Sequence, residues 1–414
     1  MSAVTPVISD FSRRKRGLPL LEFIFIFVAC LFYSNYVVQA MYAFQMTIAL
    51  PGYVVYFAFK EREYRNQALI FLLMLVLFSV LYLLLTDTLT ISEYASNRNL
   101  KRFFSKYSQF MLLFAPVFMF YRAAKVATRW QVYLFGTVIL FNLFSLARTA
   151  ITAAEMNAEI LHTFNAESVE ETGLSKAAFY FVYAYTFLFL TCWLCYKYVK
   201  KPIVRYTALI IALFSFYFLF VAQFALSIVT SFLSLLYLYV ITTRNSGKKT
   251  INVIFVLAIL LMSPLLIKGI IMISPSRILN DRLAEVYDML TGDDMSSGTD
   301  GKGRMELYWM CIKAFFSSPI IGNRILPLDG HATFLTVPAD IGIYGIIFLY
   351  TTFKNAYKMV ADAMKSKILY FKPLMLQIIL MGFTNPIHSS PTIYILLFFL
   401  CPLAILLFIP SGSD

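Results

Sequence analysis

An all-α, polytopic membrane bundle is the fold class this sequence predicts, and three observations predict it. The chain of 414 residues is 60% hydrophobic and only 14% charged, with a mean hydropathy of +0.74, which leaves too little polar surface to clothe a water-soluble globule. Apolar runs near the ~20 residues that a helix needs to cross a ~30 Å hydrocarbon core recur along it about a dozen times. No alternating ten-residue segments of the barrel type occur, so helices must satisfy the backbone in lipid. The net charge of +13 does not point to nucleic acid, because Lys and Arg sit in the breaks between apolar runs rather than on one soluble face.

In chain order, Ser12-Arg-Arg-Lys-Arg16 precedes an apolar run from Leu18 to Tyr33 that has no small-residue cleavage site after it, so it is read as a first span and not as a signal peptide. Spans are predicted at 18–34, 37–59, 66–85, 107–121, 131–147, 179–196, 206–222, 224–242, 251–273, 333–353, 369–384 and 392–409, twelve in all. With the N-terminus inside, Arg13 to Arg16, Lys60 to Arg65, Arg122 to Arg129, Lys197 to Arg205, Arg244 to Lys249 and Lys354 to Lys372 fall in the cytoplasm. These segments hold 22 of the 35 Lys and Arg, the asymmetry expected of inside loops. The outer face receives the acidic loop with Glu155, Glu159, Glu167, Glu170 and Glu171. Three regions follow: residues 1–273 with nine spans, an extracytoplasmic loop over 274–332, and the last three spans over 333–414.

No internal repeat relates the two halves, which argues against a transporter built by duplication. Of the five cysteines, Cys30, Cys192, Cys195 and Cys401 lie inside spans and Cys311 lies in the loop, so no disulfide framework is expected. Cys192 and Cys195 lie amid Trp and Leu without other thiols nearby, and packing explains them better than a metal.

The long loop carries the polar chemistry. Met305, Tyr308, Trp309, Ile312, Phe315 and Phe316 recur at helical spacing with Glu306, Lys313 and Ser317 on the other side, which predicts a short amphipathic helix on the outer interface. Gly303 and Arg304 are expected at its start, where free N–H groups, the helix dipole and the charges of Lys302 and Arg304 would together hold an anion. The alternative is a solvated Arg304 paired with Asp300 or Glu306. His331, just before the tenth span, is either a general base or a cap. Asp340 follows nine positions on, roughly 13 Å along a helix, where it either takes part in chemistry or orders the helix by pairing. Asp293, Asp294 and Asp300 do not have the EF-hand spacing and read as a mobile Gly- and Ser-rich loop, so no metal is expected.

Gly303-Arg304 with Trp309, then Ser318-Pro319-Ile-Ile-Gly322, then His331 with Asp340-Ile-Gly342-Ile-Tyr-Gly345, resemble the superfamily of O-antigen ligases and Wzy-type O-antigen polymerases. The resemblance covers about 45 residues and is moderately specific. It departs from the family pattern at Ala332, where the family has Asn after the histidine, at Asp340, where it has Glu, and at Ala222-Gln-Phe-Ala-Leu226, which lacks the family's arginine. The resemblance implies a glycosyltransferase of the bacterial inner membrane that uses an undecaprenyl-diphosphate-linked oligosaccharide on the outer face, without a metal or other cofactor. Arg304 would be the diphosphate clamp, His331 the base and Asp340 the acid one methylene shorter, with Lys302 beside the clamp. Arg148, Arg277 and Arg282 are the substitutes for the second clamp, or interfacial anchors. A chain-length regulator is the protein partner such an enzyme would have.

Three activities stay open at this point. A polymerase of O-antigen, capsule or exopolysaccharide repeat units is preferred, since no soluble domain is seen for a protein acceptor. A ligase would transfer the glycan to lipid A core or another acceptor. A flippase or exporter of lipid-linked glycans would place charge deep in several spans, whereas Lys268 and Asp340 are exceptions here.

Overall fold

The computed structural model describes residues 16–34, 50–61, 111–156, 178–222, 225–243, 246–273, 299–320, 332–385 and 390–410, with single residues or pairs between 65 and 73 and between 280 and 291, and residues 322 and 387. Among the described residues every regular element is helical and none is a strand. In chain order these are α1 (Leu20–Ser34), α2 (Leu50–Lys60), α3 (Met111–Val126), α4 (Arg129–Met156), α5 (Ala178–Tyr198), α6 (Pro202–Val221), α7 (Ala225–Ile241), α8 (Ser246–Ile273), α9 (Thr299–Ser317), α10 (Thr333–Ile341), α11 (Ile343–Met364), α12 (Ile368–Thr384) and α13 (Pro391–Phe408).

Among the described residues, four helical stretches are long and apolar enough to cross a membrane: Arg129–Ile151, Pro202–Val221, Ile343–Thr384 and Pro391–Phe408. The third, at 42 residues, would be ~63 Å long, about twice the hydrocarbon core. It is divided into α11 and α12 at Lys365, whose φ is 49°, and the tight turn Lys365–Lys367. Shorter apolar helices occupy Leu20–Ser34, Ser227–Ile241 and Leu261–Ile273. Along α6, Ile203, Tyr206, Ile210, Leu213, Tyr217 and Phe220 point outward at alternating spacings of three and four. In water such a stripe would be a liability; covered by acyl chains it costs nothing.

The chain forms two compact units. The first takes residues 1–140, 312–365 and 386–403. Its centre is α3, apolar on every side and buried over Leu113–Ala124, packed by α2, α11 and α13. The part of α13 within it is buried all round too, as helices inside a bundle are. Pro402 lacks the N–H that would bond Phe398, and the preceding Cys401 instead donates to Leu396 five residues back, so the helix widens over Leu396–Leu400.

The second unit takes residues 141–311, 366–385 and 404–414. Here α5 is the buried centre, packed by α6, α7 and α12. Gln377 of α12, fully buried, donates to Thr230 and accepts from Ser234 of α7, both at 2.8 Å. Ser227, Thr230, Ser231 and Ser234 share a face of α7 at i, i+3, i+4 and i+7. Small polar residues on such a face allow close helix approach and give hydrogen bonds where lipid offers none.

Several boundaries differ from the predicted spans: α3 runs on to Val126 and α4 to Met156, past the predicted ends at 121 and 147. The predicted span 333–353 is two helices, α10 and α11, broken at Gly342 (φ 65°). The second of these then runs to Met364, beyond the Lys354 at which the apolar run ends.

Candidate functional site

The segments that carry the motifs following α9 lie together in the first unit. Ser318–Gly322 closes a turn in which the Gly322 N–H bonds Ser318 O at 2.8 Å, and Ile343 N–H donates to Pro319 O at 2.7 Å. This joins the Pro319-x-x-Gly322 turn to the Asp340-x-Gly342 break, some twenty residues on. Both glycines hold positive φ, 77° and 65°. A Cβ on Gly322 would overlap the Asp340 carbonyl and Ile341 N; one on Gly342 would stand 2.6 Å from Pro319 O. Only glycine fits at either position, for conformation and for space. Gly345 makes a third close approach, where a Cβ would lie 2.7 Å from Val337 O.

Gly322→Ala should therefore destabilise the protein by about 1–3 kcal/mol, through left-handed strain and overpacking. Gly269→Ala in α8, where nothing lies within 4 Å of the new methyl, should be neutral or stabilising. Thermal unfolding in detergent compares the two, and equal melting temperatures would refute the interlock.

Asp340 is half-buried in the last turn of α10. The Gly322 turn packs against its backbone, just before the helix breaks at Gly342. Thr333, Thr336 and Asp340 fall on one face of α10 at i, i+3 and i+7. Thr336 is fully buried and its hydroxyl has no hydrogen-bond partner. An arriving hydroxyl or water would satisfy it.

The helix that carries Lys302 and Arg304 extends back to Thr299, so Gly303 and Arg304 lie more than one turn inside it. Their backbone N–H groups are within the helical ladder and are not free to hold an anion. The predicted amphipathic face is also narrower than expected. Cys311 and Ala314 are buried and Tyr308, Ile312 and Phe315 half-buried, whereas Trp309 and Phe316 are exposed beside Glu306 and Lys313. An aromatic and charged mixture on one face suits a headgroup layer.

Arg148 is exposed in α4. His331, Arg277 and Arg282 lie outside the described residues, as do Asp293, Asp294 and His388.

A second concentration of charge was not anticipated from the sequence. Glu22 in the first turn of α1, Lys60 and Glu61 at the end of α2, and Arg122 and Lys125 in α3 form one network. Arg122 donates to Glu22 from Nη2 at 2.9 Å and from Nε at 3.2 Å, and its Nη1 donates to Glu61. Lys60 reaches Glu22 at 2.6 Å and Lys125 reaches Glu61 at 2.8 Å. Tyr56 donates its hydroxyl proton to Glu22. Glu22, Glu61 and Arg122 are all buried. For Lys60 and Arg122, burial pulls the pKa down, but hydrogen bonding and charge from Glu22 outweigh it and both end above their ordinary values. The signal in the sequence was Glu22 itself, a lone carboxylate in an apolar run.

No model of a known protein family matches this chain, and no curated protein matches it either.

Proposed function

We propose that the protein is a glycosyltransferase of the bacterial inner membrane that polymerises oligosaccharide repeat units linked to undecaprenyl diphosphate. The bundle crosses the membrane twelve times, and residues 274–332 form an extracytoplasmic loop. Arg304, with Lys302, neutralises the diphosphate leaving group; His331 takes the proton from the acceptor hydroxyl; Asp340 orients the site. The second clamp comes from Arg148, Arg277 or Arg282.

The observation that carries this proposal is the docking of Pro319-x-x-Gly322 on Asp340-x-Gly342. Two segments singled out by the resemblance, and separated in the chain, are in backbone contact, as parts of one site would be.

Support for the twelve-span threading comes from side-chain contacts inside each unit. In the first unit, Arg122 pairs with Glu61, both assigned to the inner side, and with Glu22 near the inner end of the first predicted span, while Thr392 donates to Tyr33 O at 3.0 Å at two outer ends. In the second, Tyr183 donates to Asn385 at 2.6 Å and Tyr308 to Thr384 O at 3.4 Å, all outer positions. Lys367 donates to Leu406 O at 2.9 Å, both inner.

Purified protein supplied only with lipid-linked repeat units in detergent should lengthen the glycan, which a flippase has no means of doing where no second compartment exists. Lipid scrambling in vesicles with no chain growth under any acceptor condition would overturn the proposal.

A further inference from the structure

We infer that the charge network at the ends of α1, α2 and α3 holds a phosphate-bearing anion, with Lys60 and Lys125 as its ligands, and that this anion is the headgroup of an acidic phospholipid. The site is separate from the proposed transferase chemistry and does not depend on it.

Charge balance is the first ground. Three cations, Lys60, Arg122 and Lys125, face two carboxylates, Glu22 and Glu61, in a partly buried setting. The sequence around the same helix ends deepens the imbalance: residues 13–22, 60–65 and 122–129 hold ten Lys and Arg against three Glu. Excess positive charge held beside a low-dielectric bundle attracts an anion.

Donor geometry is the second ground. Arg122 lies at the centre, its fork engaged by both carboxylates, so it is not the ligand. The two lysines stand on the rim with side chains 35% and 31% exposed. Of three ammonium protons, Lys60 uses two, on Glu22 and Tyr56; Lys125 uses one, on Glu61. Among the described residues, three N–H donors therefore remain on two ammonium groups that the network holds in place, without the entropy cost of ordering free lysines.

The surroundings identify the source of the anion. Lys60 lies over the ring of Tyr56 at 5.1 Å and Lys125 over that of Tyr121 at 5.6 Å. Beside Lys60, Phe59 is 76% exposed, and Val55 and Tyr56 are exposed with it. Basic groups bordered by outward apolar and aromatic side chains match a phospholipid, with phosphate at the lysines and acyl chain along α2; free phosphate has no use for the apolar part.

The test uses the full-length protein in a neutral detergent, with phosphatidylglycerol, phosphatidylcholine or inorganic phosphate added in parallel, followed by thermal unfolding and by native mass spectrometry of retained lipid. Phosphatidylglycerol should be retained and raise the melting temperature, and phosphatidylcholine should do neither. In the K60Q/K125Q variant phosphatidylglycerol affinity should fall roughly 30-fold, at about 1 kcal/mol for each lysine. K60R/K125R should keep the affinity, as should K197Q/K354Q, which removes two lysines elsewhere. Equal loss in K60Q/K125Q and K197Q/K354Q, or no loss in the former, overturns the site. A lysine-dependent shift with inorganic phosphate and none with phosphatidylglycerol overturns its assignment to a lipid. Should K60Q/K125Q fail to fold, K125Q alone is read, and an unchanged affinity there overturns Lys125 as a ligand.

Discussion

Replacing His331 by Ala is expected to lower the rate of glycan elongation by roughly 10²–10⁴ while leaving donor binding close to wild type. A sugar diphosphate already carries a good leaving group once its charge is neutralised. The acceptor hydroxyl, by contrast, must lose a proton as it attacks, and an imidazole with a pKa near 6.5 can take that proton at neutral pH. Loss of the base therefore acts on the chemical step. On the proposed function, Arg304→Ala should fail differently, because it would remove charge-assisted contacts to the diphosphate worth about 1.5–3 kcal/mol each. Donor affinity would fall first. Arg304→Lys should recover only part of that loss, since an ammonium cannot engage two phosphate oxygens as a fork does. Glycan ladders and donor affinity, measured for each variant at matched membrane abundance, separate the two. Wild-type elongation by His331→Ala would remove the histidine as base and make His388 the next candidate.

Much of the helical architecture could be read from hydropathy because burial in lipid and burial in protein ask for the same apolar run. Helices α4 to α8 and α12 fall on predicted spans for that reason. The break at Gly342 was hidden by the same fact: from Thr333 to Phe353 the apolar character hardly falters, and hydropathy does not register φ. Pro338 and the Gly342-x-x-Gly345 spacing were the available hints, and their meaning depends on Pro319, which no local window contains. Helix α9 starts at Thr299, four residues before Gly303. Thr299 and Asp300 at the positive end of the helix favour the earlier start. The charge network was illegible for a further reason. Each of its members looked like an ordinary loop charge or a lone defect in a span, and their complementarity exists only across helices separated by up to a hundred residues.

Arg122→Ala is expected to destabilise the protein by about 3–5 kcal/mol, the cost typical of removing one partner from a buried ionic group. Arg122 bridges two carboxylates on different helices, Glu22 of α1 and Glu61 after α2, and all three are buried. Without it Lys60 and Lys125 each still hold one carboxylate from the rim. The inner oxygens of Glu22 and Glu61 would then lack donors, and the two negative charges would lose the cation between them. Arg122→Lys should restore only a fraction, because a single ammonium cannot replace a fork that reaches both helices. The triple replacement Glu22→Gln, Glu61→Gln and Arg122→Met provides the decisive contrast. It removes the charges together with the need to solvate them, and its stability should lie far closer to wild type than that of Arg122→Ala. Unfolding in a graded denaturing detergent measures all three. If the triple variant were as unstable as Arg122→Ala, the network would be holding the helices by net attraction. If Arg122→Ala unfolded with the wild type, it would be holding them not at all.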